Sequence, residues 1–128
     1  IGESSWKTLS RNALALSAVD RRAEAITLYE KALQLEPDNS FVLNNLAWLL
    51  INPSEGVKAE PQRAYDLIQQ AISNSPKPVA GYYDTLAAVL WSMGRNDEAL
   101  KAQEKAIEVD PTEEEYLERY RKYEKSSQ

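Results

Sequence analysis

Residues 99–111 read ALKAQEKAIEVDP, and two earlier segments align with them, AITLYEKALQLEP at residues 25–37 and AYDLIQQAISNSP at residues 64–76. In each segment an alanine recurs seven residues after the first, an aliphatic residue follows the second alanine, and a proline closes the segment. The closing prolines are 39 residues apart (37 to 76) and then 35 residues apart (76 to 111). A period of this size is typical of a protein built from stacked supersecondary units.

A second helical stretch precedes each of these segments. Its apolar residues recur at intervals of three and four, which places them on one helix face; they are Leu9, Ala13 and Leu16, then Leu43, Leu46, Ala47 and Leu50, then Tyr83, Leu86, Ala87 and Leu90. Each unit is therefore predicted to be a pair of antiparallel helices. Small residues would let the paired backbones approach closely; these are Ala13, Ala25, Ala47, Ala64, Ala87 and Ala99.

Turn and cap signals predict where the helices begin and end. Gly94 follows a helical run and suits a left-handed C-terminal cap. We expect Asp20 to cap a helix that starts near residue 21. We also expect Thr112 and Glu115 to form a capping box for a seventh helix over residues 112–125. The tyrosine-rich stripe of that helix would cover the last repeat or dock another domain.

Composition excludes several classes of chemistry. The 128 residues include no cysteine and no histidine, which removes disulfides, thiolate metal sites and every histidine-dependent catalytic arrangement. We predict no catalytic site, no metal and no cofactor, because most acidic residues lie at turns, at helix starts or beside Lys and Arg. A hydrolase with paired carboxylates is the weakest functional hypothesis.

Charge and hydropathy narrow the range of partners. A net charge of −5 makes the chain a poor candidate for nucleic-acid phosphates or an anionic membrane surface. The longest apolar run, residues 46–51, is far shorter than the roughly 20 residues that a bilayer helix needs, so no membrane insertion is predicted. Because the chain begins at Ile1 and its one methionine is Met93, we expect a segment of a longer protein. The sequence leaves the compartment open.

The last repeat carries the residues that suggest a family. Its segments YYDTLA at 82–87, GRNDEAL at 94–100 and AIEVDP at 106–111 resemble the tetratricopeptide repeat, in a form that looks bacterial. The resemblance covers about residues 6–113 and implies an all-α fold, a right-handed superhelical α-solenoid of three helix-turn-helix repeats plus a C-terminal capping helix. The repeats would span about residues 6–39, 40–78 and 79–113 of a single domain, residues 1–128.

The first repeat departs from the family pattern at two positions, and the middle repeat is longer. Asn12 stands where an aliphatic residue is usual, and Asp20 stands where a glycine is usual, which should weaken that turn. Residues 52–61 lengthen the turn of the middle repeat by about five residues, either as a tolerated insertion or as a binding loop.

The resemblance implies a ligand groove, because the first helix of each pair lines the concave face in this family. The candidate peptide-binding residues projected onto it are Arg11, Asn44, Asn45, Trp48, Asp84, Thr85 and Trp91, and the seventh helix would add Glu118, Arg119 and Lys122. Tryptophan is enriched at binding hot spots, and asparagine amides suit a peptide backbone. Packing between helices and ordinary helix-surface polarity explain the same residues equally simply.

Asn45 is the best candidate among the asparagines, because it matches the position where family members often carry a peptide-holding asparagine. The other positions of the family's carboxylate clamp hold Ser10, Leu14, Gly81 and Thr85. Chaperone-tail binding is therefore not expected, and the mixed charge of the groove favours a partly apolar ligand.

The predicted function is a non-catalytic protein–protein interaction module that binds a peptide or helix in its concave groove. The alternative is self-association, giving a homo-oligomer, or a rigid spacer within a larger multidomain protein. Exposed end faces around Trp6 and the tyrosine stripe of the seventh helix motivate that alternative.

Overall fold

The computed structural model describes residues 5–54 and 57–127. Those residues form seven α-helices, α1 (Trp6–Ala18), α2 (Arg22–Leu35), α3 (Ser40–Ile51), α4 (Pro61–Asn74), α5 (Ala80–Ser92), α6 (Asn96–Val109) and α7 (Glu114–Ser126). The β-structure within these ranges is one isolated antiparallel bridge between Ser54 and Val57. The fold is the predicted all-α solenoid, with helix pairs α1–α2, α3–α4 and α5–α6, and with α7 packed on α6.

The recurring alanines lie where the paired helices meet. Each of the six predicted alanines is completely buried. A methyl group allows close approach of two backbones, and larger side chains fill the remaining space between pairs, as Tyr29, Ile68 and Leu90 do. Because α3 packs on α2, α4 and α5, it leaves only a narrow strip of its surface to solvent. That strip belongs to the groove described below.

The turns of the first and third pairs share one backbone conformation. Gly94 has the left-handed conformation that was predicted, with φ of 77°. Asp20 has φ of 60° and lies at the equivalent turn. In both turns the residue that follows donates a backbone hydrogen bond to the carbonyl five residues back, Arg21 to Leu16 (2.8 Å) and Arg95 to Leu90 (3.0 Å).

Two predicted caps are wrong. Arg21, not Asp20, precedes α2, and no side chain caps that helix; Asp20 instead turns the chain and pairs with Arg22 (Oδ1 to Nε, 3.2 Å). Glu113, not Thr112, precedes α7, and no side chain caps that helix; the Thr112 hydroxyl instead donates to Asp110 Oδ1 (2.7 Å) in the preceding turn. In both cases the helix begins one residue later than the predicted cap requires.

Candidate peptide-binding groove

Helices α3, α5 and α7 line two adjoining cavities that contain most of the predicted site residues. The first, here called the amide cavity, has a volume of about 290 Å³ and is lined by Asn44, Asn45, Trp48, Gly81, Asp84, Thr85, Glu115, Tyr116 and Arg119. The second, here called the tryptophan cavity, has a volume of about 260 Å³ and is lined by Trp48, Ile51, Asn52, Ala88, Trp91, Ser92, Arg119, Lys122 and Tyr123. Trp48 and Arg119 line both cavities, so one continuous groove results.

The two asparagines are adjacent on α3 and interact with each other. The Asn44 side-chain amide donates to Asn45 Oδ1 (3.3 Å). Burial raises the pKa of the neighbouring Tyr29 hydroxyl, and a hydrogen bond with Asn45 opposes that rise. Within the described ranges, Asn44 Oδ1 is buried and accepts no hydrogen bond. Asn44 Oδ1 is therefore an acceptor with unused capacity, and a buried acceptor of this kind favours a donor.

Helix α7 covers part of each groove tryptophan. The Arg119 guanidinium carbon lies 5.5 Å from the Trp48 ring centroid, a cation–π distance. The Trp91 ring stacks on Tyr123 with centroids 4.7 Å apart and planes at 21°. Both tryptophans nevertheless remain partly exposed. Packing and exposure thus coexist at both positions.

Asp84 and Thr85 are buried, with only 7% and 4% of their surfaces exposed. The Asp84 carboxylate accepts a hydrogen bond from Gln103 Nε2 (3.0 Å) and forms an ion pair with Arg119. Gln103 is fully buried and also donates to the Tyr116 carbonyl (3.0 Å). Asp84 therefore joins α5 to α6 and α7, and its carboxylate already has its partners.

Gln103 is a functional-region residue that the sequence reasoning missed. It lies among Ala99, Ala102 and Ala106 on the buried face of α6. The signal that could have identified Gln103 is a polar side chain on a helix face that otherwise carries alanines. Such a side chain is buried and therefore needs hydrogen-bond partners.

The ion pair also sets the electrostatics of the groove. Burial lowers the pKa of Arg119, but the hydrogen bond and charge of Asp84, together with the charge of Glu115, raise it by more. The net shift of the Arg119 pKa is therefore upward, and the guanidinium stays charged. Burial raises the pKa of Tyr123, and the Asp84 carboxylate adds to that rise. The Tyr123 hydroxyl is therefore neutral under Trp91 at ordinary pH.

Two predicted site residues, Arg11 and Glu118, line neither cavity. Arg11 is exposed on α1, away from the groove helices, and Glu118 is exposed on α7. The long turn of the middle repeat contributes Asn52 to the tryptophan cavity, whereas Val57 and Lys58 lie beside Ala23 and Ile26 of α2. Residues 55–56 of that turn lie outside the described residues.

None of the helices in residues 5–54 and 57–127 is long and apolar enough to cross a membrane. The same residues form no cluster of three or more acidic side chains suited to a metal ion.

The helix pairs agree with comparisons to known proteins. Sequence profiles described as Tetratricopeptide repeat match residues 8–43, 28–60 and 80–113. The chain belongs to the tetratricopeptide repeat family. A curated relative, Small glutamine-rich tetratricopeptide repeat-containing protein 2 of Mycosarcoma maydis, is 35% identical over 100 residues. That match covers 78% of this chain but 26% of the relative.

Solved tetratricopeptide repeat domains have the same fold. The first such domain of human RPAP3 superposes with a TM-score of 0.82 at 19% identity, covering 94% of this chain and 90% of that one. The first such domain of Spaghetti (RPAP3), bound to the HSP90 peptide SRMEEVD, gives 0.81 at 19% identity, covering 95% and 92%. At these identities the likeness concerns the fold.

Proposed function

We propose that this chain is a non-catalytic protein-interaction domain of a longer protein, and that it binds a partner's peptide or helix in the groove of α3, α5 and α7. The observation that carries the proposal is that Trp48 and Trp91, both partly exposed, line one open cavity next to the Asn44–Asn45 pair. Large aromatic side chains with amides beside them are suited to bury a ligand side chain while fixing its backbone.

The free acceptor at Asn44 supports a peptide as the ligand. Asn44 Oδ1 lacks a donor among the described residues, and Asn44 lines the amide cavity. A backbone N–H of a bound peptide is a donor of the right kind, once rotation of the Asn44 side chain brings Oδ1 from its buried position to the cavity surface. The HSP90 peptide bound by the Spaghetti domain is a precedent for a peptide ligand on this fold. Ser10, Leu14 and Thr85 differ from the family's carboxylate clamp, so we propose a ligand other than a chaperone tail.

Selection from a display library of random dodecapeptides tests the proposal. Peptides enriched on the wild-type chain should bind the Trp48→Ala, Trp91→Ala double variant at least about 30-fold more weakly, which corresponds to hot-spot losses of about 2 kcal/mol or more. The matched control is Trp6→Ala, because Trp6 contacts Phe41 (ring centroids 6.5 Å apart) and lines neither cavity. Circular dichroism must show intact helicity in each variant. Equal affinity for the folded double variant and the wild type would refute groove binding.

Self-association is a second candidate function, favoured by two exposed apolar side chains at the first helix pair. Leu14 is 49% exposed and Val19 is 66% exposed. Sedimentation equilibrium should then show a mass that rises with concentration and that Leu14→Glu returns to that of one chain. A single-chain mass at every concentration counts against this candidate.

A further inference from the structure

The two cavities of the groove differ in charge. The amide cavity includes the carboxylates of Asp84 and Glu115 as well as Arg119. The lining of the tryptophan cavity contains Arg119 and Lys122 but no acidic residue. Because Arg119 is paired with Asp84, Lys122 is the cation that this part of the groove can offer to a ligand.

Lys122 is a cation of this region that forms no ion pair with the residues described by the structure. Arg119 is paired with Asp84 and lies near Glu115 (Nη2 to Oε2, 3.8 Å). Among the residues that the structure describes, Lys122 forms no ion pair, although Glu118 lies one helical turn before it. An exposed ammonium beside an apolar cavity attracts an anionic group on the ligand.

The remaining lining determines what else the ligand must carry. The aromatic rings of Trp48, Trp91 and Tyr123, with Ile51, give the cavity an apolar wall. Its volume of about 260 Å³ lies just below the usual range for drug-sized ligands, about 300–1,000 Å³, and suits one large side chain. Because the cavity continues into the amide cavity at Trp48 and Arg119, a peptide backbone would run on along the groove rather than end there.

We infer that the tryptophan cavity binds an internal peptide segment in which a large apolar side chain has an Asp or Glu one or two positions away, with Lys122 receiving that carboxylate. The inference rests on the proposed function and specifies its ligand. The apolar side chain supplies burial, and the carboxylate supplies charge complementarity and register.

The dodecapeptide library tests the inference when each peptide is fused through its C-terminus, because only side chains then provide carboxylates. Selections run in parallel on the wild type, on Lys122→Glu and on Lys101→Glu. Lys101→Glu is the matched control, since Lys101 is exposed on α6, lines neither cavity and changes the net charge equally. Wild type and Lys101→Glu should enrich an apolar residue near Asp or Glu, and Lys122→Glu should lose the acidic preference while keeping the apolar one.

Affinity measurements by fluorescence anisotropy then isolate the ion pair. Replacing the acidic residue of an enriched peptide by its amide should weaken binding to the wild type about two- to fivefold, the range for an exposed pair, and should leave binding to Lys122→Glu unchanged or stronger. Added salt should reduce the difference.

The outcomes separate the inference from the proposed function. If enriched peptides need Trp48 and Trp91 but show no acidic excess, or keep it on Lys122→Glu, the inference fails and groove binding stands. If no enriched peptide depends on the two tryptophans, both fail. An excess of basic residues in peptides selected on the wild type also overturns the inference.

Discussion

Replacing Asp84 by alanine should destabilise the protein by detaching α7 from α5 and α6. The Asp84 side chain is 10% exposed and that of Arg119 is 30% exposed. Breaking a fully buried pair costs about 3–5 kcal/mol, and an exposed pair is worth at most about 1 kcal/mol. This pair lies between those limits. Gln103 keeps a second acceptor at the Tyr116 carbonyl, which reduces the loss. We therefore expect the free energy of unfolding to fall by about 2–3 kcal/mol.

Urea unfolding followed by circular dichroism and tryptophan fluorescence measures this loss. Two of the three tryptophans that fluoresce contact α7, Trp91 by stacking on Tyr123 and Trp48 through Arg119, so the signal changes if α7 detaches. The control is Asp66→Ala, since Asp66 is exposed on α4 and accepts only from Gln62 (3.1 Å). It should change the free energy of unfolding by no more than about 0.5 kcal/mol.

A double-mutant cycle with Arg119→Met attributes the effect to the ion pair. The two substitutions should couple by about 1–2 kcal/mol, because the partners are in contact. The reasoning would be refuted if the free energy of unfolding of Asp84→Ala lay within about 0.5 kcal/mol of that of the wild type. It would also be refuted if the effects of Asp84→Ala and Arg119→Met were strictly additive. Asp84 would then be available to a ligand, as its position on α5 first indicated.

Three further predictions concern the backbone, the pH dependence and the core. Asp20→Gly should raise the free energy of unfolding by about 0.5–1 kcal/mol and Gly94→Ala should lower it by about 1 kcal/mol, because both residues have left-handed backbones that favour glycine. Urea unfolding measures both changes. Two changes of the same sign and size would contradict this prediction. Burial raises the pKa of Tyr123, so the stability it contributes is complete below the unfolded value of about 10 and is lost as pH rises from there through the folded pKa. Tyr123→Phe should flatten that alkaline loss in urea midpoints measured across the range, and an unchanged slope would contradict it. Ala47→Leu should cost about 1–3 kcal/mol by thermal unfolding, because Ala47 is completely buried between helices; a neutral result would show that the helices separate easily.

The helices and the core alanines were predictable because their signals are local. An apolar residue every three or four positions defines a helix face wherever that helix packs. An alanine recurring at the same point of each repeat, as at Ala25, Ala64 and Ala99, marks the close contact that each pair makes with itself. Gly94 was predictable for the same reason, since its conformation depends on its own missing side chain.

The caps were predicted less well because the position at which a helix begins depends on the backbone of the preceding turn. Asp20 and Thr112 have the residue types that cap helices, but α2 begins after Arg21 and α7 begins after Glu113. At the first of these turns Asp20 has a left-handed backbone, which places Arg21 rather than Asp20 directly before the helix.

The candidate site was also predictable in part. Its position on α3 and α5, with Asn44, Asn45, Trp48 and Trp91 near one another, was predictable from the repeat, because equivalent helices place equivalent residues on one face. Whether each of these side chains is free to bind a ligand was not predictable from the repeat. Asp84 is occupied by Arg119, which lies 35 residues later in the chain, and α7 covers part of both tryptophans.

The sequence by itself thus determined that the chain forms paired helices around small residues, with two tryptophans and two asparagines on neighbouring first helices. The tertiary structure alone determined which of those residues remain open to a ligand and that Lys122 forms no ion pair within residues 5–54 and 57–127. The physical reason is that a helical period depends on residues three and four apart, whereas burial and charge pairing depend on the atoms of every helix that packs nearby.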